Sequence, residues 1–419
     1  MLTRPHFLRM ISTHAKFMER GLIAHIPVSR RQRGALGHQG APRIRRERDD
    51  YRSDDRSHPW SRLQSWYPCT VPARRLSIHR ARKHVMRLAG LFAAGLAVSL
   101  AAVAQSAEPL RLMQTIALPE VSGRLDHLAI DLKGHRLFVA ALENNTVEVV
   151  DLKASKWVRS VAGFSKPQGV FYAPDIKKLF VASGADGTCK ALDGRTLVVT
   201  ATENLSLGAD LVDYDARSKQ LYVGHGGKDA GKDYGELALI DAISGKRVFG
   251  MQTEAHPGAI LVNGSPRVFV VIPEKSHVLV LDRKTHAIIQ TWTVAGGART
   301  VSLALDEANH RLFVGARNPP AIIVLDSESG KEVARMPSVN TLDGIYFDRA
   351  ARRIYASGGE GFVDVERQID ADHYESMAHV STGPTARTSL FVPELKRLFV
   401  AVPVAPDRAA EVLVFEVRP

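Results

Sequence analysis

The most regular feature of this chain is a four-residue alternation of polar and apolar character. A basic or polar residue is followed by an aliphatic, an aromatic, and a small or β-branched residue. It appears as Arg136-Leu137-Phe138-Val139, Lys178-Leu179-Phe180-Val181, Gln220-Leu221-Tyr222-Val223 and Arg267-Val268-Phe269-Val270. It returns as Arg311-Leu312-Phe313-Val314, Arg353-Ile354-Tyr355-Ala356 and Arg397-Leu398-Phe399-Val400. The aliphatic members stand at 137, 179, 221, 268, 312, 354 and 398, so the intervals are 42, 42, 47, 44, 42 and 44. Apolar runs this short, rich in β-branched and aromatic residues, predict strands. A period in the low forties with turn residues between the runs is the spacing of a propeller blade.

Each period divides into four predicted strands. In the first, His127–Asp131 is an apolar strand, Leu132-Lys133-Gly134-His135 a turn, and the phrase itself runs through Ala141. A turn at Glu143-Asn144-Asn145 leads to a third strand, Thr146–Asp151, and a fourth lies near Lys156–Ala162. Third strands ending in Asp151, Asp241, Asp282 and Asp326 place a carboxylate where it caps the following turn, a structural role. After Glu411–Val417 the chain ends, and the seventh period lacks its outer strand. A spare strand, Leu110–Leu118, precedes the first period. Adding it to the last blade closes the ring and removes an unpaired edge. The expected fold is all-β: a seven-bladed β-propeller of four-stranded blades over residues 105–419.

The phrases R-L-F-V, K-L-F-V and Q-L-Y-V, with third strands of V-V-D or V-L-D type, resemble the YVTN-repeat β-propeller family, relatives of quinoprotein amine dehydrogenase β-chains. The resemblance covers essentially all of residues 110–419. It implies the fold and leaves the function open, since the family joins surface-layer, periplasmic and dehydrogenase-like chains.

Charge divides the chain. It carries +12 formally, yet residues 1–104 hold 20 basic and 6 acidic groups, and residues 105–419 hold 36 and 38, a net of −2. Nothing in the bulk composition of the propeller recruits DNA or RNA. Residues 1–85 are rich in Arg and His without apolar periodicity, a composition expected to be disordered. Met86-Arg87, the apolar run Leu88–Ala104 and the triplet Ala102-Val103-Ala104 read as a secretory signal peptide at 86–104, with translation starting at Met86 and cleavage after Ala104. A single-pass anchor is the competing reading, although the run is at the short end for a span. The expected product is periplasmic or secreted, monomeric, and without a membrane span once the signal is removed. Of the two cysteines, Cys69 lies in the prefix and Cys189 is alone in the propeller, so no internal disulfide and no Cys-based zinc site is expected.

In a propeller the innermost strands line the central channel, and the loops leading into them share a face with the loops joining second to third strands. Counting back 11 residues from each aliphatic position gives the column Asp126, Gln168, Asp210, Pro257, Val301, Asp343 and Arg387. His127, His256 and Arg299 flank it. Three readings remain open for this polar ring. Its members cap turns or line a water-filled channel; or they bind a polar ligand, with Arg299 and Arg387 gripping an anionic group. In the third, Asp126, His127, Asp210, His256 and Asp343 hold a divalent cation such as Ca²⁺, Zn²⁺ or Fe²⁺.

The long third period adds a loop, His225–Gly235. Gly226 and Gly231-Lys232 imitate a P-loop, but Asp233 follows and a strand comes next, so nucleotide binding is rejected. The loop is either a flap over the channel or an ordinary insertion. No G-x-S-x-G or H-E-x-x-H is present. The expected function is therefore non-catalytic binding of a small polar ligand or a protein partner at the channel mouth. The alternative is a metal-assisted hydrolase or lyase, resembling lactonase and streptogramin-lyase propellers, with His127 or His256 as base. A quinone-dependent dehydrogenase is a third possibility, for which the chain shows no built-in quinone precursor.

Overall fold

The computed structural model describes residues 108–419 apart from 263, 264 and 297. The prefix 1–85 and the signal segment 86–104 thus lie outside the described residues. The chain forms seven four-stranded antiparallel sheets, a seven-bladed β-propeller. Blade 1 is Leu128–Asp131, Arg136–Ala141, Thr146–Asp151 and Lys156–Val161, from the channel outward. Blades 2 to 6 repeat this order. Blade 7 sets Leu110–Leu118 against the last strand, Ala410–Val417, so the ring is closed by the N-terminal strand as expected. The helical pieces among the described residues are two 3-10 turns, Gly227–Ala230 and Pro393–Leu395. No described helix is long and apolar enough to cross a membrane.

The recurring phrase is the core of the assembly. It occupies the second strand of every blade, where successive side chains point to opposite faces. Leu137 and Val139 turn toward blade 7, while Phe138 turns toward blade 2 and meets Tyr172, Leu179 and Val181. All seven aromatic members, Phe138, Phe180, Tyr222, Phe269, Phe313, Tyr355 and Phe399, are at most 2% exposed. Each wedge seals one blade interface and contributes about 1.5–3 kcal/mol by leaving water. Seven such apolar clusters carry the packing around the ring.

The third-strand aspartates cap turns. Asp151 Oδ1 accepts the N–H groups of Lys153 and Ala154, both at 2.8 Å, and Asp282 Oδ1 accepts those of Lys284 and Thr285 at 3.0 and 2.7 Å. Asp241 and Asp326 do the same, and Asp193 in blade 2 is a fifth example. The hydrogen bond from Ala154 is the main reason that Asp151 stays below the usual carboxylate range.

Candidate functional site

The residues that begin the inner strands are aimed into the channel by β-bulges. Asp126 N–H donates to Ala140 O at 2.8 Å, and Ala140 N–H donates to His127 O at 2.9 Å, so two residues oppose one. Asp210 and Leu211 oppose Gly224 in the same way, at 3.0 and 3.2 Å. The ladder also skips Val301 in blade 5, Asp343 in blade 6 and the stretch from Pro167 to Val170 in blade 2. A bulge re-aims one side chain without breaking the sheet.

These devices surround a cavity of about 320 Å³ at the channel mouth. It gathers Asp126, His127, Asp210, His256, Arg299, Asp343 and Arg387, seven of the eight residues expected from sequence. Gln168 is not among its lining residues; its Nε2 reaches 3.5 Å to Ala209 O in the neighbouring blade. Below the mouth the channel continues for about 260 Å³ past His127, Val301 and Asp343 to Asp213. Burial pushes the Asp213 carboxyl up to about 7, against the N–H groups of Val262 and Tyr214 that favour its charge.

Electrostatics decide what the mouth can hold. Arg124 Nη2 lies 2.6 Å from Asp126 Oδ2, and His127 Nε2 lies 3.7 Å from Oδ1. Asp343 is gripped twice, by Arg317 Nη2 at 2.6 Å and by Arg387 Nε at 2.9 Å. Burial pushes Asp126, 2% exposed, up to about 6; Asp210 and Asp343 push the same way, while His127 and Arg124 oppose. Burial likewise pulls Arg317 below the usual guanidinium range, Asp343 opposing and Arg387, Arg299 and Arg124 assisting. Four arginines therefore face three aspartates in one cavity. Arg299 makes no hydrogen bond or ion pair with its side chain among the described residues, and its backbone sits at φ +60°, a region a bulky residue rarely adopts.

The five residues considered for a cation do line one cavity, but they do not converge on a point. Among the described residues no three His, Cys, Asp or Glu side chains form a set that could hold a metal ion. Two of the three aspartates are occupied by arginine, so the donor set does not fit a cation.

Sequence reasoning missed Arg124 and Arg317. Arg124 precedes Asp126 by two positions, the offset at which Arg299 precedes Val301, so the same count would have found it. Arg317 stands five residues after its phrase aliphatic, where the other blades have Leu142, Gly184, Gly226, Pro273, Gly359 and Pro403. One charge in an otherwise small or apolar column was the signal. The blade 3 loop is tied to its neighbours by two lysines. Lys232 Nζ binds Glu236 Oε2 at 2.7 Å and Ser206 Oγ at 3.0 Å, and Lys228 Nζ binds Glu274 Oε1 at 2.6 Å. Its residues do not line the cavity. The loop packs against His256 at Gly227 and Gly235, and its Gly226 O accepts Nδ1–H of His256 at 3.2 Å.

No family model matches this sequence, and no curated protein does. Solved structures do. A chain of the hydrazine synthase of Kuenenia stuttgartiensis superposes with a TM-score of 0.60 at 15% identity, covering 69% of this chain and 98% of its own. A chain of the mitotic checkpoint complex superposes with a TM-score of 0.62 at 13% identity, covering 84% and 99%. At such identities the likeness is one of fold alone: this chain shares the β-propeller architecture with both.

Proposed function

We propose that this chain is a secreted, non-catalytic binding propeller of YVTN-repeat type, and that its channel mouth takes a small anionic ligand. The observation that carries the reading is Arg299. An exposed guanidinium at φ +60°, with no hydrogen-bond or ion-pair partner among the described residues and beside three further arginines, supports an anion as its partner. The propeller fold is consistent with a domain that binds a ligand or a partner.

Calorimetric titration of the purified protein with small carboxylates tests this. Removing Arg299 leaves no buried carboxylate unpaired, so Arg299→Ala reports on ligand contact alone. A hydrogen bond to a charged group is worth about 1.5–3 kcal/mol, so affinity should fall roughly tenfold to a hundredfold. Equal affinity in the variant, or no carboxylate binding to the parent protein, would count against the proposal.

A protein partner is the second reading. The outer strands of blades 3 and 4 expose Val248, Phe249, Ile288 and Ile289, between 38% and 56% accessible. One structural neighbour is itself a chain of a protein complex.

A further inference from the structure

The mouth is bipolar, and its negative pole is as incomplete as its positive one. Asp210 Oδ1 is buried without a hydrogen-bond partner among the described residues. The other two aspartates of the cavity are held by arginines. Asp210 is not a loose side chain that fell short of a partner. The bulge against Gly224 fixes its backbone, and Gly169 of blade 2 packs so closely that a Cβ there would lie 2.0 Å from Asp210 O. Burying Oδ1 unpaired costs free energy, and a donor that meets the half-buried carboxylate from the cavity offsets part of that cost.

Beside it, on the next blade, His256 donates Nδ1–H to Gly226 O, which leaves Nε2 as an acceptor while the ring is neutral. Acceptors thus gather on blades 3 and 4. Cationic groups with donors to spare gather on blades 5 and 7: Arg299, without a side-chain partner among the described residues, and Arg387, which uses Nε on Asp343. The space between them, about 320 Å³, gives room for about ten non-hydrogen atoms at roughly 30 Å³ per water-sized group.

Resting on the anion reading above, we infer that the ligand is a small zwitterion of the amino-acid class, its carboxylate toward Arg299 and Arg387 and its ammonium toward Asp210. A simple carboxylate satisfies only the arginines. A simple amine satisfies only Asp210. A molecule carrying both charges a few bonds apart completes both poles at once, and the fixed backbone of Asp210 sets their separation.

The test is a matched series on the full-length protein by ligand-observed NMR: L-alanine, L-lactate and propionate, which share a carbon skeleton and differ only at the α-substituent. Alanine should bind at least about tenfold more tightly than either of the others, the scale of one charge-assisted hydrogen bond. Asp210→Asn, nearly isosteric, should abolish that preference. Propionate binding as well as alanine overturns the zwitterion while sparing the anion reading. Lactate binding as well as alanine shows that a neutral donor suffices and overturns the ammonium. A preference that survives Asp210→Asn removes Asp210 from the role. Failure of all three to bind overturns the anion reading itself.

Discussion

Single ionisable groups are where this fold departs most from sequence expectation. Glu366, in the third strand of blade 6, is 4% exposed because it pairs with Ile354 at the place where blades 1 to 5 set the buried Val150, Leu192, Ile240, Leu281 and Leu325. Burial pushes its carboxyl from an ordinary 4.5 up to about 7, Asp364 pushing the same way and Ser376 opposing. The folded state therefore holds a proton that the unfolded chain releases near 4.5, and stability falls as pH rises from there to about 7. Glu366→Gln removes the titration. The variant should melt higher than the parent at pH 8, by the equivalent of roughly 3 kcal/mol at most, and match it near pH 4. Melting curves across that range check it, and a constant difference would mean that the carboxyl titrates alike in the folded and unfolded states. The alternation of the strand decides which face Glu366 occupies, and a carboxyl in a column that is aliphatic in blades 1 to 5 was the signal in the sequence. The mouth was more legible. Asp126, Asp210, Asp343 and Arg387 share one offset from the phrase, and a repeat converts equal offsets into equal positions. Arg317 escaped because it answers to the second strand rather than the first.

Among the elements, strands were the most legible part and turns the least. The aromatic wedge declares itself seven times, and the alternation around it fixes which residues meet which blade. The hairpins between first and second strands use a left-handed residue two positions before the phrase aliphatic. It is His135, Lys177, Lys219, His310, Arg352 and Lys396, with no glycine among them. Side chains at that position hid the turn geometry from composition. The closing strand was legible by subtraction and carries a sharp prediction. Leu110–Leu118 pairs with Ala410–Val417 from Leu110 opposite Val417 to Leu118 opposite Ala410, and Leu110, Ile116 and Leu118 are buried at 1%, 3% and 0%. Deleting residues 108–118 strips the last blade of its outer strand and opens an edge. The melting temperature should drop severely. Leu118→Ala, which keeps the strand, should cost about 2–5 kcal/mol in denaturant titration. Parent-like stability in both variants would remove the strand from the closure.

At the scale of the molecule, global and local charge tell different stories. Residues 105–419 carry a net of −2, yet four arginines face three aspartates at the channel mouth, so the charge balance at the mouth is set by a few side chains and differs in sign from that of the whole propeller. The positive balance sits instead in residues 1–104, at +14. Our reading assigns residues 86–104 of it to targeting, with translation starting at Met86: a basic residue, an apolar run and Ala102-Val103-Ala104, with cleavage after Ala104. The propeller makes this proposal demanding. Its ring is closed by a strand that begins at Leu110, so any processing site beyond that residue would cut into the closure, while one after Ala104 leaves Leu110–Leu118 whole. N-terminal sequencing of the protein exported by its native host should therefore begin at or near Gln105. A first residue inside Leu110–Leu118 would contradict the need for that strand. Recovery of peptides from residues 1–85 on the exported protein would show that the segment is retained, and the targeting assignment would fall with it.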